Sequence, residues 1–336
     1  MPRISLQNHT HLFQKMGPAW VVGAVACGPA TIASLSLAGA TFGYSLLWVV
    51  ILSAILATSA QYLAAKVGVL GQMGIIRLVD INLGKFWGRV ITLDACLATW
   101  LAAIILMKAL NEVTSLVIGI QTPFWGFIYA LIFYFLLSYG GYKRLELVCK
   151  FLIIIILACF LGTLFFMDLD LSAVLTGLIP SIPKQISSAT MMAGIVGGGV
   201  HITIIAMHTY TVNAKKWTYS DLGLAKTDTI ISMLAIFGVY STIIFLAAAT
   251  VLHPAGIKVH SALDMARSLG PLLGSMAENV FLIGLWASVV STISPTYLAS
   301  AFFVSDMCQR ELNSKDSFFK TLIAIGCALS ILGPFL

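Results

Sequence analysis

Apolar residues run along this chain in blocks of about twenty, parted by short polar or glycine-containing links. A helix needs about 20 apolar residues to cross a hydrocarbon core of about 30 Å. Nine stretches meet that length, at 17–40, 45–70, 89–118, 123–142, 147–167, 188–211, 227–252, 276–304 and 318–335. Most links are short, such as "TFGYS", "GIQTP" and "GGYKRLE", so neighbouring helices run antiparallel. The segment after the fifth stretch, "DLDLSAVLTGLIPSIPK" (Asp168 to Lys184), carries two prolines and reads as an outer loop with one helical turn. The pattern predicts an all-α, polytopic membrane protein with about nine transmembrane helices.

Two blocks contain their own breakers. The first holds "CGPAT" (Cys27 to Thr31), with Pro29 inside an apolar run, and the sixth holds "GIVGGGVHIT" (Gly194 to Thr203), with Gly197, Gly198 and Gly199 in a row. Gly and Pro in a membrane helix often serve close packing alone. A pair of interrupted helices five spans apart points instead to an inverted-repeat secondary transporter, whose site lies where the breaks free backbone groups. Bare backbone at that depth is tolerated only against protein or a cavity. The two breaks are therefore expected to face one another.

Composition agrees with the pattern: 59% of residues are hydrophobic and 10% charged, against about 25% charged in soluble domains. The formal charge of +6 raises nucleic acid as a partner, but the basic residues sit in alternate loops. With a cytoplasmic N-terminus, fifteen of the nineteen Lys and Arg fall inside, three (Lys184, Lys258, Arg267) outside, and Lys108 within a span. That is a topology signal, and nucleic acid is set aside. Met1 to Gln14 is polar and lacks a secretory signal pattern, so the tail is expected to stay in the cytoplasm. The expectation is an integral protein of the plasma (inner) membrane. Its six cysteines show no CxxC spacing and read as buried free thiols.

No enzyme signature is present: there is no HExxH, no nucleophile elbow, and the glycine run 197–199 is followed by neither Lys-Ser nor Lys-Thr. His253 and His260 fall in an outer loop. His201 is different, because an ionisable residue inside a membrane segment is a functional candidate by default. His208 follows two helical turns later on the same face.

Five stretches resemble one family. They are "GPAWVVGAVACGPATIASLSLAGATFGYSLLW" (Gly17 to Trp48), "GYKRLELV" (Gly141 to Val148), "GLIPSIP" (Gly177 to Pro183), "DTIISMLA" (Asp228 to Ala235) and "LGPLLGSMAENVFLIGLWASVVSTISPTYLA" (Leu269 to Ala299). Together they resemble the Nramp family of proton-coupled divalent-metal transporters. The resemblance implies two inverted repeats of five helices, of the amino acid-polyamine-cation superfamily type. On that reading the chain divides into a tail at 1–15, a first repeat at 16–168, an outer loop at 169–187 and a second repeat at 188–336. The second repeat is one helix short, to be supplied elsewhere or by an oligomeric partner.

The resemblance also shows departures at the chemistry. Where the family has Asp-Pro-Gly-Asn in its first break, this chain has Gly28, Pro29, Ala30 and Thr31; where it has Met-Pro-His in the sixth helix, this chain has His201, Ile202 and Thr203. The implied substrate site is therefore Cys27, Gly28, Thr31 and His201, with backbone carbonyls near Cys27 and Gly28. The divalent metal ion is substrate, and no resident cofactor is implied. His208, two turns after His201, and Asp94, on the third span where the family carries acidic residues, are the candidates for a proton path. Two alternatives stay open: the same fold carrying another small solute, and a membrane sensor or scaffold that does not transport.

Overall fold

The computed structural model describes residues 15–184, 187–310, 312 and 315–336. The tail expected at 1–15 lies outside the described residues up to residue 14. The first interrupted block forms two half-helices, α1 (Pro18–Ala26) and α2 (Pro29–Phe42), each with a proline in its first turn, where no N–H is missed. After them come α3 (Leu47–Gly71), the short amphipathic α4 (Ile75–Leu83), α5 (Lys85–Ile118) and α6 (Trp125–Leu164). The expected outer loop contains α7 (Leu171–Gly177), longer than the single turn anticipated. Asp170 caps it, accepting from Ser172 and Ala173 N–H, and the Ser172 hydroxyl holds its carboxyl below the usual carboxylate range.

The second interrupted block gives α8 (Ser187–Gly199) and α9 (Ile202–Ala214). The chain closes with α10 (Tyr219–Leu252), α11 (Ala262–Leu273), α12 (Ser275–Met307) and α13 (Ser317–Ser330). Among the described residues no strand occurs.

Among the described residues, seven helical runs are long and apolar enough to cross a membrane, against nine expected stretches. The difference has a structural cause: the run 29–71 joins the second half of the first stretch to the second stretch, and the run 125–164 joins most of the fourth to most of the fifth. A straight helix of 40 residues would be about 60 Å long, twice the hydrocarbon thickness. α6 is not straight. Gly141 sits at φ 68°, ψ 173°, a conformation open to glycine. Before it, Tyr129 meets Trp286 and Phe133 meets Tyr297; after it, Cys149 meets Ser291 and Phe160 meets Phe281. The two legs thus read α12 in opposite directions, so the chain reverses at Gly141. Gly43, at φ 57°, opens the corresponding turn between α2 and α3.

α12 forms the axis of the bundle, packing against α1, α5, α6, α11 and α13. The exterior carries exposed Leu63, Leu97, Leu101, Phe135, Leu147 and Phe151, as a lipid-facing surface requires. α10 widens into π-type turns at Ile230–Phe237 and Ala248–Leu252. From the first of these Ser232 donates to Ala19 O at 2.6 Å.

Candidate functional site

The break in the first helix is two residues long. Cys27 N–H still bonds to Gly23 O and Gly28 N–H turns back to Val25 O, while Thr31 and Ile32 begin the next helix on Gly28 O. The carbonyls of Ala24, Ala26 and Cys27 are thereby released from the helical ladder. None is left bare. Ala24 O accepts from Thr292 Oγ1 at 3.0 Å and Ala26 O from Thr31 Oγ1 at 2.7 Å. Cys27 O accepts from the Tyr240 hydroxyl at 2.9 Å and from Ser288 Oγ at 2.5 Å. A buried carbonyl must find a donor, and hydroxyls of α2, α10 and α12 supply it.

The second break falls one step later than its glycines suggest. Gly197, Gly198 and Gly199 form the last turn of α8, and the chain leaves helical geometry at Val200 and His201. Those glycines serve close approach: a Cβ on Gly199 would lie 2.8 Å from Ala57 and Phe237, and one on Gly198 would lie 2.8 Å from Thr31 Oγ1. The Thr31–Gly198 contact brings the two breaks face to face. His201 stands immediately before α9 with φ −124° and ψ 149°.

Both breaks open on one cavity of about 590 Å³. Gly28, Pro29, Thr31, Gly197, Gly198 and His201 line it, with Thr99, Thr203, Thr292 and Thr296 as further polar groups. Much of the remaining wall is Ala, Leu, Ile and Val. Glu112 and His260 line the same cavity, so it extends to the face that carries the α10–α11 connection. His260 is exposed in the loop before α11, as the sequence predicts, and from there it lines the outer end of the cavity.

Three sequence candidates stand apart. Cys27 is buried and is absent from the cavity wall. His208 is fully buried beyond the breaks, its Nδ1 3.0 Å from Gln61 Oε1. Asp94 is exposed on α5, also off the cavity wall. Among the described residues, no group of three or more His, Cys, Asp or Glu side chains is arranged to hold a metal ion.

On the opposite face, charged groups gather at the start of α1. Asp228 accepts from the N–H groups of Gly17 and Ala19 at 3.0 and 2.9 Å. Glu146 pairs with Lys150 at 2.8 Å and with Lys215 at 2.7 Å, and Lys150 also donates to Met16 O. Further out, Asp306 accepts from the Tyr210 hydroxyl and from Arg77 N–H at the start of α4. The motifs "GYKRLELV" and "DTIISMLA" contain Glu146 and Asp228, but nothing local announces that they meet. The hydroxyl row Ser288, Ser291, Thr292, Thr296 and Ser300 was readable as one polar stripe on an apolar helix.

A profile described as natural resistance-associated macrophage protein-like matches residues 19–336. The divalent metal cation transporter MntH of Yersinia pestis (strain Pestoides F) is 28% identical over 306 residues, covering 85% of this chain and 72% of that protein. The MntH of Yersinia enterocolitica serotype O:8 is 27% identical over 332 residues, covering 92% and 79%. In structure, the chain is similar to the Eremococcus coleocola manganese transporter in complex with an aromatic bis-isothiourea compound, with a TM-score of 0.83 at 19% identity, covering 99% of this chain and 72% of that one. It also resembles the nucleobase-cation-symport-1 transporter Mhp1 in a closed conformation, with a TM-score of 0.66 at 16% identity, covering 95% and 70%. The fold is the inverted-repeat transporter fold, and the chain, an integral membrane protein with broken first and sixth helices, belongs to the Nramp family.

Proposed function

We propose that this protein carries divalent metal ions across a membrane by alternating access between segments 16–168 and 188–336. The observation that supports this most is the convergence of both helix breaks on one cavity, with the His201 imidazole on its wall. The relatives named as divalent metal cation transporters support the same substrate class. In this reading the ion is held by His201 and the Thr31 hydroxyl, whose proton is engaged by Ala26 O but whose lone pairs remain available. With the Glu112 carboxylate of the cavity wall outside this pair, imidazole and hydroxyl favour borderline ions such as Zn²⁺ or Ni²⁺ over hard ones. Cys27 is left out of this set because it is buried and does not line the cavity.

The face bearing Lys150, Lys215 and Arg77 is cytoplasmic in this proposal, in line with the positive-inside rule. The cavity then faces outward. His208 with Gln61, and Asp94 on α5, are the groups proposed for proton movement toward the cytoplasm. A second reading, transport of a small organic solute, is favoured by one observation: the cavity wall is mostly apolar and Gly28 replaces the carboxylate.

Uptake by reconstituted vesicles separates the two. Saturable uptake of at least one of Mn²⁺, Zn²⁺, Ni²⁺ and Mg²⁺, lowered by about tenfold or more in His201→Ala, is the expected result. Intact protein that takes up none of the four ions would overturn the metal reading. Uptake untouched by both His201→Ala and Thr31→Ala would overturn the site.

A further inference from the structure

Beyond transport itself, we propose that the joint between α4 and α5 is a docking surface for anionic phospholipid headgroups, and that α4 passes this contact to α9. The joint exposes both kinds of group that such a ligand needs. Ile81, Leu83, Phe86 and Trp87 are 66%, 65%, 70% and 51% exposed, and Lys85 and Arg89 stand exposed among them, one helical turn apart. Among the described residues neither cation has a salt-bridge partner. The neighbouring acids lie elsewhere. Asp80 Oδ1 is buried against Gly88, where a Cβ would run into it, and Asp94 is more than one turn further along α5.

The depth fits a headgroup. α5 has 34 residues, about 51 Å of helix against about 30 Å of hydrocarbon, so each end of a centred helix stands roughly 10 Å outside the core. Lys85 to Arg89 form that end. An exposed tryptophan is characteristic of this boundary, and each Lys or Arg beside an anionic leaflet strengthens binding by about fivefold.

The other end of α4 is tied to the second break. Gly74 gives α4 no side-chain cap, and its first three N–H groups find acceptors on other helices. Ile75 N–H donates to Thr209 Oγ1 at 3.1 Å, Ile76 N–H to the Tyr210 hydroxyl at 3.3 Å and Arg77 N–H to Asp306 Oδ2 at 3.1 Å. The Tyr210 hydroxyl donates in turn to the same Asp306 oxygen at 2.9 Å. Thr209 and Tyr210 belong to α9, which begins at His201. A Cβ on Gly74 would run into Tyr210 and Asp306, so this contact has no slack. A headgroup that holds α4 therefore also restrains α9.

The test is amide hydrogen exchange of the full chain, free of divalent ions, in bilayer discs of phosphatidylcholine and in discs where phosphatidylglycerol replaces part of it. Exchange in α4 and in α9 is expected to slow by about threefold or more in phosphatidylglycerol. The difference is expected to vanish in Lys85→Gln/Arg89→Gln and to persist in Lys258→Gln, a change in the exposed loop before α11. Equal exchange in the two bilayers would overturn the site, and is the result if a second copy or a soluble protein covers this surface instead. A difference that survives Lys85→Gln/Arg89→Gln, or that inorganic phosphate reproduces in pure phosphatidylcholine, would overturn it too. Slowing in α4 with α9 unchanged would overturn the coupling. Both leaflets carry the anionic lipid and no ion is transported, so the outcome is independent of the substrate and of which face is cytoplasmic.

Discussion

Position 28 is held by its neighbours. A Cβ there would lie 2.9 Å from Val25 O, 3.0 Å from Thr292 Oγ1 and 3.1 Å from Thr292 Cγ2. Restoring the family's carboxylate is therefore more than a change of charge, since Gly28→Asp must displace Thr292 from Ala24 O. The expected cost is about 1–3 kcal/mol, in the range for overpacking a dense interior. It should appear as a lower Tm and be partly recovered by Thr292→Ala in the same chain. A Gly28→Asp protein as stable as wild type would contradict this packing. Gly198 is constrained similarly by Thr31, so Gly198→Ala is expected to push the two breaks apart and lower metal uptake more than stability, as measured on reconstituted protein.

Between elements, the start of α1 is tied down by groups from three other helices. Asp228 of α10 satisfies two N–H groups that α1 itself cannot satisfy. Hydrogen bonds to a charged group contribute about 1.5–3 kcal/mol, so Asp228→Ala is expected to destabilise by roughly that amount and Asp228→Asn by less. Glu146 is the larger effect. It joins Lys150 of its own helix to Lys215 beyond α9, and both pairs are mostly shielded from solvent. Glu146→Gln leaves two ammonium groups facing each other, a loss of about 3–5 kcal/mol where a buried pair is broken from one side. Guanidinium unfolding checks the order Glu146→Gln, then Asp228→Ala, then Asp228→Asn. This cluster also leaves no room at Gly17, where any Cβ would run into the Glu146 carboxylate.

At the scale of the whole molecule, one face of the breaks is open and the other is packed. Ala102 lines the cavity, whereas Thr211 on α9 is fully buried, its hydroxyl donating to His208 O. In a background with the exposed Cys308 changed to serine, Ala102→Cys is expected to react with a membrane-impermeant maleimide. Thr211→Cys is expected to stay protected until alternation opens that side. Equal labelling of both positions from one side would contradict the packing described.

Much of this was present in the linear pattern. The apolar blocks, the breakers at Cys27–Thr31 and Gly194–Thr203, and the family motifs determined an all-helical membrane transporter fold with two facing breaks. They did so because burial in lipid imposes length, helix and internal hydrogen bonding on each segment separately. The partners across segments were decided only by the tertiary structure. It capped the freed carbonyls with Thr292, Ser288 and Tyr240, left Cys27 off the cavity wall, moved the second break from the glycines to His201, and assembled Glu146, Lys150, Lys215 and Asp228 at one helix start. A carbonyl released by a broken helix must find a donor, but the donor is chosen by whichever distant helix packs beside it, and that choice carries no local periodicity.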